Sequence, residues 1–529
     1  MSYQRPSERF TVMSSHLPQT TGRSEIFRGR IRTYPGVILF LLIIAGAAGL
    51  IVYGGLQSRR DRDQAADRYN DYIFHKRKIR DGGVNEDGDI ISEDGQIGNP
   101  LKYPDMGCEL PNYMSKGGKI VAVSKNGTSV TLGIKGTNWF GMETSLRIPY
   151  GLWENSENGT SAYEIASFLS RNKFNSVRLP LSIANILTNS PPEKDLINMA
   201  TNRAINLKSY VSMIQSIVTV LGYRRISVLL SLHTLTPQAS GGAWYSERLG
   251  VSEEDYLKAV DRLTSSLCSS KYWNIVGVDL KNEPYESSWG GEDPDWHRGA
   301  TLIGNRVISD CKNWLAFVEG INGQHTITLQ GKTDTYYDWW GGGLQSAKRL
   351  PVRLDVNNKV VYAPHYYTTA VNPAWYFYAG GTFGPSGVYA DYVELDNATL
   401  YRNVADTMYD MFGFLVDETE NAVLLGEFGG LYEKDAHPRK TTQRTIDATI
   451  REIMEKGYCG GYMWSLNPES AYQFNPADTS GKFTEGLLED DWLTPNKVFI
   501  RALEALDDLK DLKRFPCFQE EITAKSTDE

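Results

Sequence analysis

Eight short apolar runs recur along the chain with helix-patterned stretches between them, and this alternation restricts the fold more than any other feature. The runs are "TLGIKGTNWFG", "SVRLPLS", "ISVLLSLH", "VGVDLKNEP", "TITLQG", "VVYAPHYY", "AVLLGEFGG" and "GYMWSLNP". Between the second and third, Leu207, Tyr210, Val211, Ile214, Ile217, Val218 and Leu221 fall on one helical face, and similar stretches lie around 163–173, 256–267, 404–415 and 445–455. Strands that are apolar throughout are buried on both faces, which describes a parallel sheet covered by helices. Eight such repeats predict an α/β fold, a closed (β/α)8 TIM barrel, with an open doubly wound sheet as the alternative. Ahead of it, "KIVAVSKNGTSVTLGIKG" (119–136) reads as a β-hairpin turning at Asn126-Gly127.

In a barrel of this kind, chemistry sits where the strands end. The unusual polar residues fall at those ends: Arg178, His233, Asn282 with Glu283, His365 with Tyr367, Glu427, and Trp464. Two carboxyls flanking one bond, one protonated and one ionised, are what cleavage of a glycosidic linkage needs. By strand count Glu283 follows the fourth strand and Glu427 the seventh, so the barrel brings them together across its mouth. Eight of the twelve tryptophans lie at or beyond strand ends: Trp139, Trp244, Trp289, Trp296, Trp339, Trp340, Trp375 and Trp464. Aromatic faces suit the flat apolar side of a pyranose, and about half of this set is expected to line a cleft for several sugars. His325 and His437 lack strand-end placement and are read as core residues.

Taken in order, "GTNWFG", "NSVRLPLS", "LLSLH", "NEP", the "HYY" of "APHYY", "GEFGG" and "MWS" resemble glycoside hydrolase family 5, the large cellulase family of retaining enzymes. The likeness runs from about Gly133 to Asn467. It implies that Glu283 is the general acid/base and Glu427 the nucleophile. It also implies that Asn282 hydrogen-bonds the sugar 2-hydroxyl, and that Arg178 and Tyr367 hold the nucleophile. His233 and His365 would line the cleaved sugar's subsite, with Trp464 as its stacking platform; Trp139, from the strand-end tryptophans, is read separately as a further substrate-binding residue. Neither a cofactor nor a metal is implied.

From Thr33 to Ser58 no residue is charged, and Gly36 to Leu56 as a helix would span roughly 30 Å of hydrocarbon. A single membrane-spanning helix is expected. A cleaved signal competes, although the preceding arm is long and the apolar run exceeds the usual signal core of about 7 to 15 residues. Arginines on both sides leave orientation undecided by charge alone. The acceptor patterns at Asn126, Asn158 and Asn397, and all five cysteines, follow the helix, which favours a type II topology with an extracellular or lumenal, glycosylated body. Cys108 with Cys517 would staple the two ends of the body and Cys268 with Cys311 would join neighbouring helices. Five cysteines allow fifteen ways of making two bridges, so the pairing stays open. The acidic run "NEDGDIISEDG" is no calcium loop, because Gly83 stands where the first ligand is required. With a net charge of -9 and no basic stripe, nucleic acid is excluded as a partner.

The expected organisation is therefore a disordered cytoplasmic tail (1–33), a membrane helix (34–56), a stalk (57–100), a catalytic barrel (101–518) and a disordered end (519–529). The expected activity is that of a membrane-anchored retaining endo-β-1,4-glucanase acting on a β-linked polysaccharide or oligosaccharide. A β-1,3-glucanase, a β-mannanase, a transglycosylase of the same fold, or a non-catalytic carbohydrate-binding receptor stay open beside it.

Overall fold

The last barrel strand pairs in parallel with the first, Gly460 to Met463 against Ile134 to Thr137, and this ladder closes the sheet. The structure is a computed structural model and describes residues 33–81, 83–84, 90–91 and 99–519 except Ser156. Eight parallel strands run round the barrel: β1 (Ile134–Asn138), β2 (Ser176–Ser182), β3 (Ser227–Thr234), β4 (Ile275–Asp279), β5 (Leu315–Val318), β6 (Val360–Tyr362 continued by His365–Tyr366), β7 (Ala422–Val423 continued by Leu425–Gly429) and β8 (Gly460–Trp464). Each pairs with its neighbours in chain order. The (β/α)8 expectation holds.

The fifth strand is not the one expected. "TITLQG" belongs to an antiparallel hairpin outside the barrel, Gln324–Leu329 against Lys332–Tyr337, with its side chains alternately exposed. Its alternation of Thr with Ile and Leu is the pattern of a half-solvated antiparallel strand, whereas a barrel strand is apolar on both faces. The true fifth strand is the four-residue "LAFV", buried throughout.

Helices Ala162–Arg171, Tyr210–Tyr223, Glu253–Leu267 and Thr441–Glu455 cover the barrel where helical spacing placed them. Three of the four begin at a serine whose hydroxyl accepts a backbone N–H: Ser161, Ser209 and Ser252. Their apolar faces and the outer strand faces form one large core. A second core fills the amino end of the barrel, where Leu229, Val276, Phe317, Val361 and Tyr462 meet Tyr113, Ile120 and Ala122 of an N-terminal sheet. That sheet has three strands rather than two, Asn112–Lys116, Lys119–Val123 and Ser129–Leu132. The expected turn is present, with Gly127 at φ 90° and its N–H bonded to Ser124 O at 3.1 Å. Gly133 then lets the chain pass from this sheet into β1, since a Cβ there would lie 2.6 Å from Lys510 O.

Disulfides join Cys108 to Cys517 and Cys268 to Cys311, and Cys459 is free and buried. Thr33–Asp81 forms one helix of 49 residues. Within it Tyr34–Asp61 has the length and composition to cross a membrane, a property that a signal sequence near an N-terminus shares. The segment expected as a stalk is thus helical as far as Asp81, consistent with the lack of Gly and Pro from Gln57 to that point. The expected terminal tails, apart from Thr33 and Gln519, and most of the acidic run lie outside the described residues.

Candidate active site

Arg178 stands third in β2 and is fully buried, where a charge persists only with partners. It has five. Its Nε donates to Asp279 Oδ2 at 2.8 Å, Nη1 donates to Asn138 Oδ1 at 2.9 Å and Glu427 Oε1 at 2.5 Å, and Nη2 donates to Asn282 Oδ1 at 2.8 Å and Glu319 Oε1 at 3.1 Å. Burial alone would weaken its hold on a proton, but Asp279, Glu427 and Glu319 outweigh that and keep the guanidinium charged.

Glu427 lies within β7, almost wholly enclosed. One of its oxygens takes the Arg178 bond, and the other accepts from the Tyr367 hydroxyl at 2.5 Å. Burial raises its carboxyl above the ordinary range, while His365 and Arg178 pull it back towards ionisation. Glu283, partly exposed, sits just beyond β4 in the left-handed region at φ 48°. His365 of β6 stands between the two acids, its Nδ1 being 3.1 Å from Glu283 Oε1 and 3.6 Å from Glu427 Oε2. Burial would lower the imidazole's affinity for a proton, yet Glu319 and Glu427 with the Glu283 hydrogen bond lift it well above the usual histidine value. A carboxylate oxygen of Glu283 and one of Glu427 lie within 4.8 Å of each other, together with an imidazole nitrogen. A divalent cation can use three donors at that spacing. Here Arg178 and Tyr367 already hold one oxygen each of Glu427, and His365 Nδ1 hydrogen-bonds Glu283 Oε1, so each acid has its own partners.

Trp464 ends β8 with its ring nearly parallel to His233 and Phe140, at centroid distances of 5.7 and 5.5 Å. His233 is half-buried with Nδ1 lacking a hydrogen-bond partner, and burial together with Arg178 depresses its affinity for a proton. The structure therefore gathers Arg178, His233, Asn282, Glu283, His365, Tyr367, Glu427 and Trp464 round one mouth. Trp139 is not among them. It is fully buried, and its indole N–H donates to Tyr150 O at 2.9 Å, so it packs the wall and presents no face to a sugar. Trp244 and Trp296 are likewise enclosed, and Trp289 and Trp339 nearly so. Loop packing absorbed more of the tryptophans than expected. Trp340 is the most exposed of the eight, lying flat on Tyr285 with ring centroids 3.8 Å apart, two residues beyond Glu283 in sequence.

Several charged residues of the mouth were not foreseen: Asp279, Lys281, Glu319 and Glu143. Asp279 and Lys281 interrupt an apolar strand in the quoted "VGVDLKNEP", a visible signal in itself. Glu319 was hidden by the misplaced fifth strand, although "LAFVEG" carries the same apolar-acid-glycine signature as "LLGEFGG". Lys281 is buried and donates to Asn282 O, and burial pulls its ammonium down to about 8. Glu143, after β1, accepts from Gly141 N–H at 2.7 Å, and burial pushes it up to about 7.

Residues 123–470 match the family model described as Cellulase (glycosyl hydrolase family 5). The chain belongs to that family. It is a glycoside hydrolase. An endoglucanase of Paenibacillus polymyxa is 29% identical over 391 residues, covering 73% of this chain and 84% of its own length. The major extracellular endoglucanase of Xanthomonas campestris pv. campestris is 27% identical over 379 residues, covering 70% of this chain and 67% of its own. Among solved structures, an endocellulase of Pyrococcus horikoshii in complex with cellotetraose superposes with a TM-score of 0.60 and 27% identity, over 76% of this chain and 99% of that one. These likenesses span the barrel, and this family 5 chain carries in addition the long apolar helix ahead of it.

Proposed function

We propose that this chain is a membrane-anchored, retaining endo-β-1,4-glucanase whose two catalytic residues are Glu283 and Glu427. The observation that carries the reading is the 4.8 Å limit on the separation of their carboxylate oxygens. Retaining enzymes hold their two carboxyl groups about 5 to 5.5 Å apart, whereas inverting enzymes leave roughly 6.5 to 9.5 Å for a water.

In the first step Glu427 attacks the anomeric carbon while Glu283 passes its proton to the departing glycosidic oxygen. The carbon–oxygen bond to the leaving sugar breaks as the ester bond to Glu427 forms. In the second step Glu283, now a carboxylate, takes a proton from water, whose oxygen attacks the same carbon and releases Glu427. The proton and the configuration are both restored. Arg178 and Tyr367 orient Glu427 and offset its burial. With Oδ1 held by Arg178, the Asn282 amide offers its N–H as the donor a 2-hydroxyl would accept from. Trp464 and the Tyr285–Trp340 stack are partly exposed aromatic surfaces, which suits a chain of several sugars.

The preference for β-1,4-glucan is supported by the endoglucanase relatives and by cellotetraose in the Pyrococcus enzyme. A type II topology with the barrel outside the cytosol is supported by the apolar helix, by two disulfides and by the extracellular Xanthomonas relative. A 2-fluoro cellobioside incubated with the full chain in detergent tests the chemistry: the expected adduct is on Glu427, and labelling of any other residue rejects the assignment. A panel of β-1,4-glucan, β-1,3-glucan and mannan tests the substrate, with fastest turnover expected on the first.

A further inference from the structure

Glu319 directly follows β5, is fully buried, and divides its two oxygens among three groups of the site. Oε2 accepts the backbone N–H of Glu283 at 2.8 Å. Oε1 accepts from Arg178 Nη2 at 3.1 Å and lies 3.1 Å from His365 Nε2, a close approach outside hydrogen-bond geometry. One carboxyl thus touches the backbone of the proposed proton donor, the guanidinium that holds the proposed nucleophile, and the imidazole standing between them. Its place is enforced by packing. The Trp296 indole donates to its carbonyl at 2.8 Å, and Gly341, at φ 78°, passes so close that a Cβ there would sit 2.5 Å from Oε2 and 3.1 Å from His365 Cγ.

Glu283 needs such a hold. A side chain larger than glycine in the left-handed region is uncommon and is held by its surroundings, and here its N–H bonds a fully buried carboxyl, which burial pushes up to about 8 while His365 and Arg178 pull it back towards ionisation. We propose that Glu319 is a positioning residue of the reaction, aiming the Glu283 carboxyl at the leaving oxygen through the Glu283 backbone and through His365 without touching the sugar. The inference rests on the function proposed above and adds to it a residue that bears on the proton donor, its bond to Arg178 being one of the five that guanidinium makes. Facing Glu319 from the packed elements are Arg178 of β2, Asp279, Lys281 and Glu283 of the β4 end, and His365 of β6. Two cations and the imidazole balance the acids, so removing one carboxylate changes which of the rest keep their protons. A glutamine cannot replace it. Of its two terminal atoms only one accepts, whereas donors press on both oxygens of Glu319.

The experiment uses Glu319→Gln in the full chain in detergent, with cellotetraose and with 2,4-dinitrophenyl β-cellobioside, whose leaving group departs without a proton. For cellotetraose, kcat is expected to fall roughly tenfold or more with KM within about twofold, and the alkaline limb of kcat/KM to move down by roughly one pH unit. For the dinitrophenyl substrate kcat/KM is expected to stay within about threefold of the wild type. Glu319→Asp, which keeps both acceptors at a shorter reach, should recover part of the loss and serves also if the glutamine variant folds poorly. An equal loss on both substrates, or unchanged kcat and pH profile on cellotetraose, overturns the inference. A second readout needs no turnover and so separates this inference from the function it rests on. The 15N signals of His365 at pH 7 should show both ring nitrogens protonated in the wild type and one in Glu319→Gln, and identical signals in the two proteins overturn it as well.

Discussion

The two ends of the barrel both bury charge, and they do so on opposite terms. At the amino end each buried cation has its own partner. Lys135 reaches Asp507 at 2.5 Å, and Lys359 donates to Asn112 Oδ1 at 2.8 Å and Tyr113 O at 2.6 Å. The N-terminal sheet plugs that end, and the Cys108–Cys517 bridge ties it to the end of the chain. At the carboxyl end one guanidinium serves three carboxylates, Asp279, Glu319 and Glu427, and a fourth acid, Glu283, stands beside them. A group at the lower end is placed to be satisfied. At the upper end burial keeps acids reactive at a cost in stability, which is where barrel enzymes hold their chemistry.

The largest expected effects fall at the upper end and are losses of activity. Glu427→Gln and Glu283→Gln should each lower kcat/KM on cellotetraose by roughly 10⁴-fold or more, about 5.5 kcal/mol of barrier. Stability should move the other way. Because burial raises the Glu427 carboxyl in the folded chain, the folded state holds that proton more tightly than the unfolded state, and stability falls as pH rises from the unfolded value through the folded one. Glu427→Gln removes that slope, so its melting temperature at pH 7 should equal or exceed the wild type's. A clear drop in melting temperature would erase the contrast between the ends.

How much of this contrast could be read beforehand differs by region. The ring of polar residues was legible because each interrupts or follows an apolar run, although Arg178 and Glu427 lie inside β2 and β7 rather than at the strand ends where they were expected. Glu319 was missed because β5 is four residues long and the neighbouring "TITLQG" hairpin imitates a strand of the barrel. The tryptophans misled for a different reason. Position in sequence places a residue at a rim, but whether its ring faces a cleft or a loop is decided by side-chain packing, and Trp139, Trp244 and Trp296 went inward. The second core was unreadable too, since it depends on a three-stranded sheet entering the barrel's open end.

Next in size is the bridge at the lower end. Cys108→Ser with Cys517→Ser opens a link across 409 residues, and should cost about 4 kcal/mol of unfolding free energy by denaturant titration, with kcat at 25 °C unchanged. Opening Cys268–Cys311, separated by 43 residues, should cost less. An equal loss of activity in the first variant would mean that the two ends are not independent. Smaller again is Asp507→Asn, which leaves Lys135 enclosed with a neutral partner. Burial already weakens that ammonium's hold on its proton, and the variant should lose about 1 to 3 kcal/mol with activity intact.

The smallest effect belongs to the hairpin that imitated a strand. His325 lies 3.0 Å from Asp338, an acid enclosed at the base of the hairpin, and the imidazole is about one third exposed. The hydrogen bond to Asp338 raises its affinity for a proton despite partial burial. A histidine raised in the folded state adds stability that is fully present below the unfolded value of about 6.5 and is lost as pH rises through the folded one. Solvent screening keeps the contribution below about 1 kcal/mol. His325→Gln should therefore be less stable than the wild type at pH 5.5 and match it at pH 9, by melting temperature in the same buffer. A gap of the same size at both pH values would mean that His325 contributes packing and no charge.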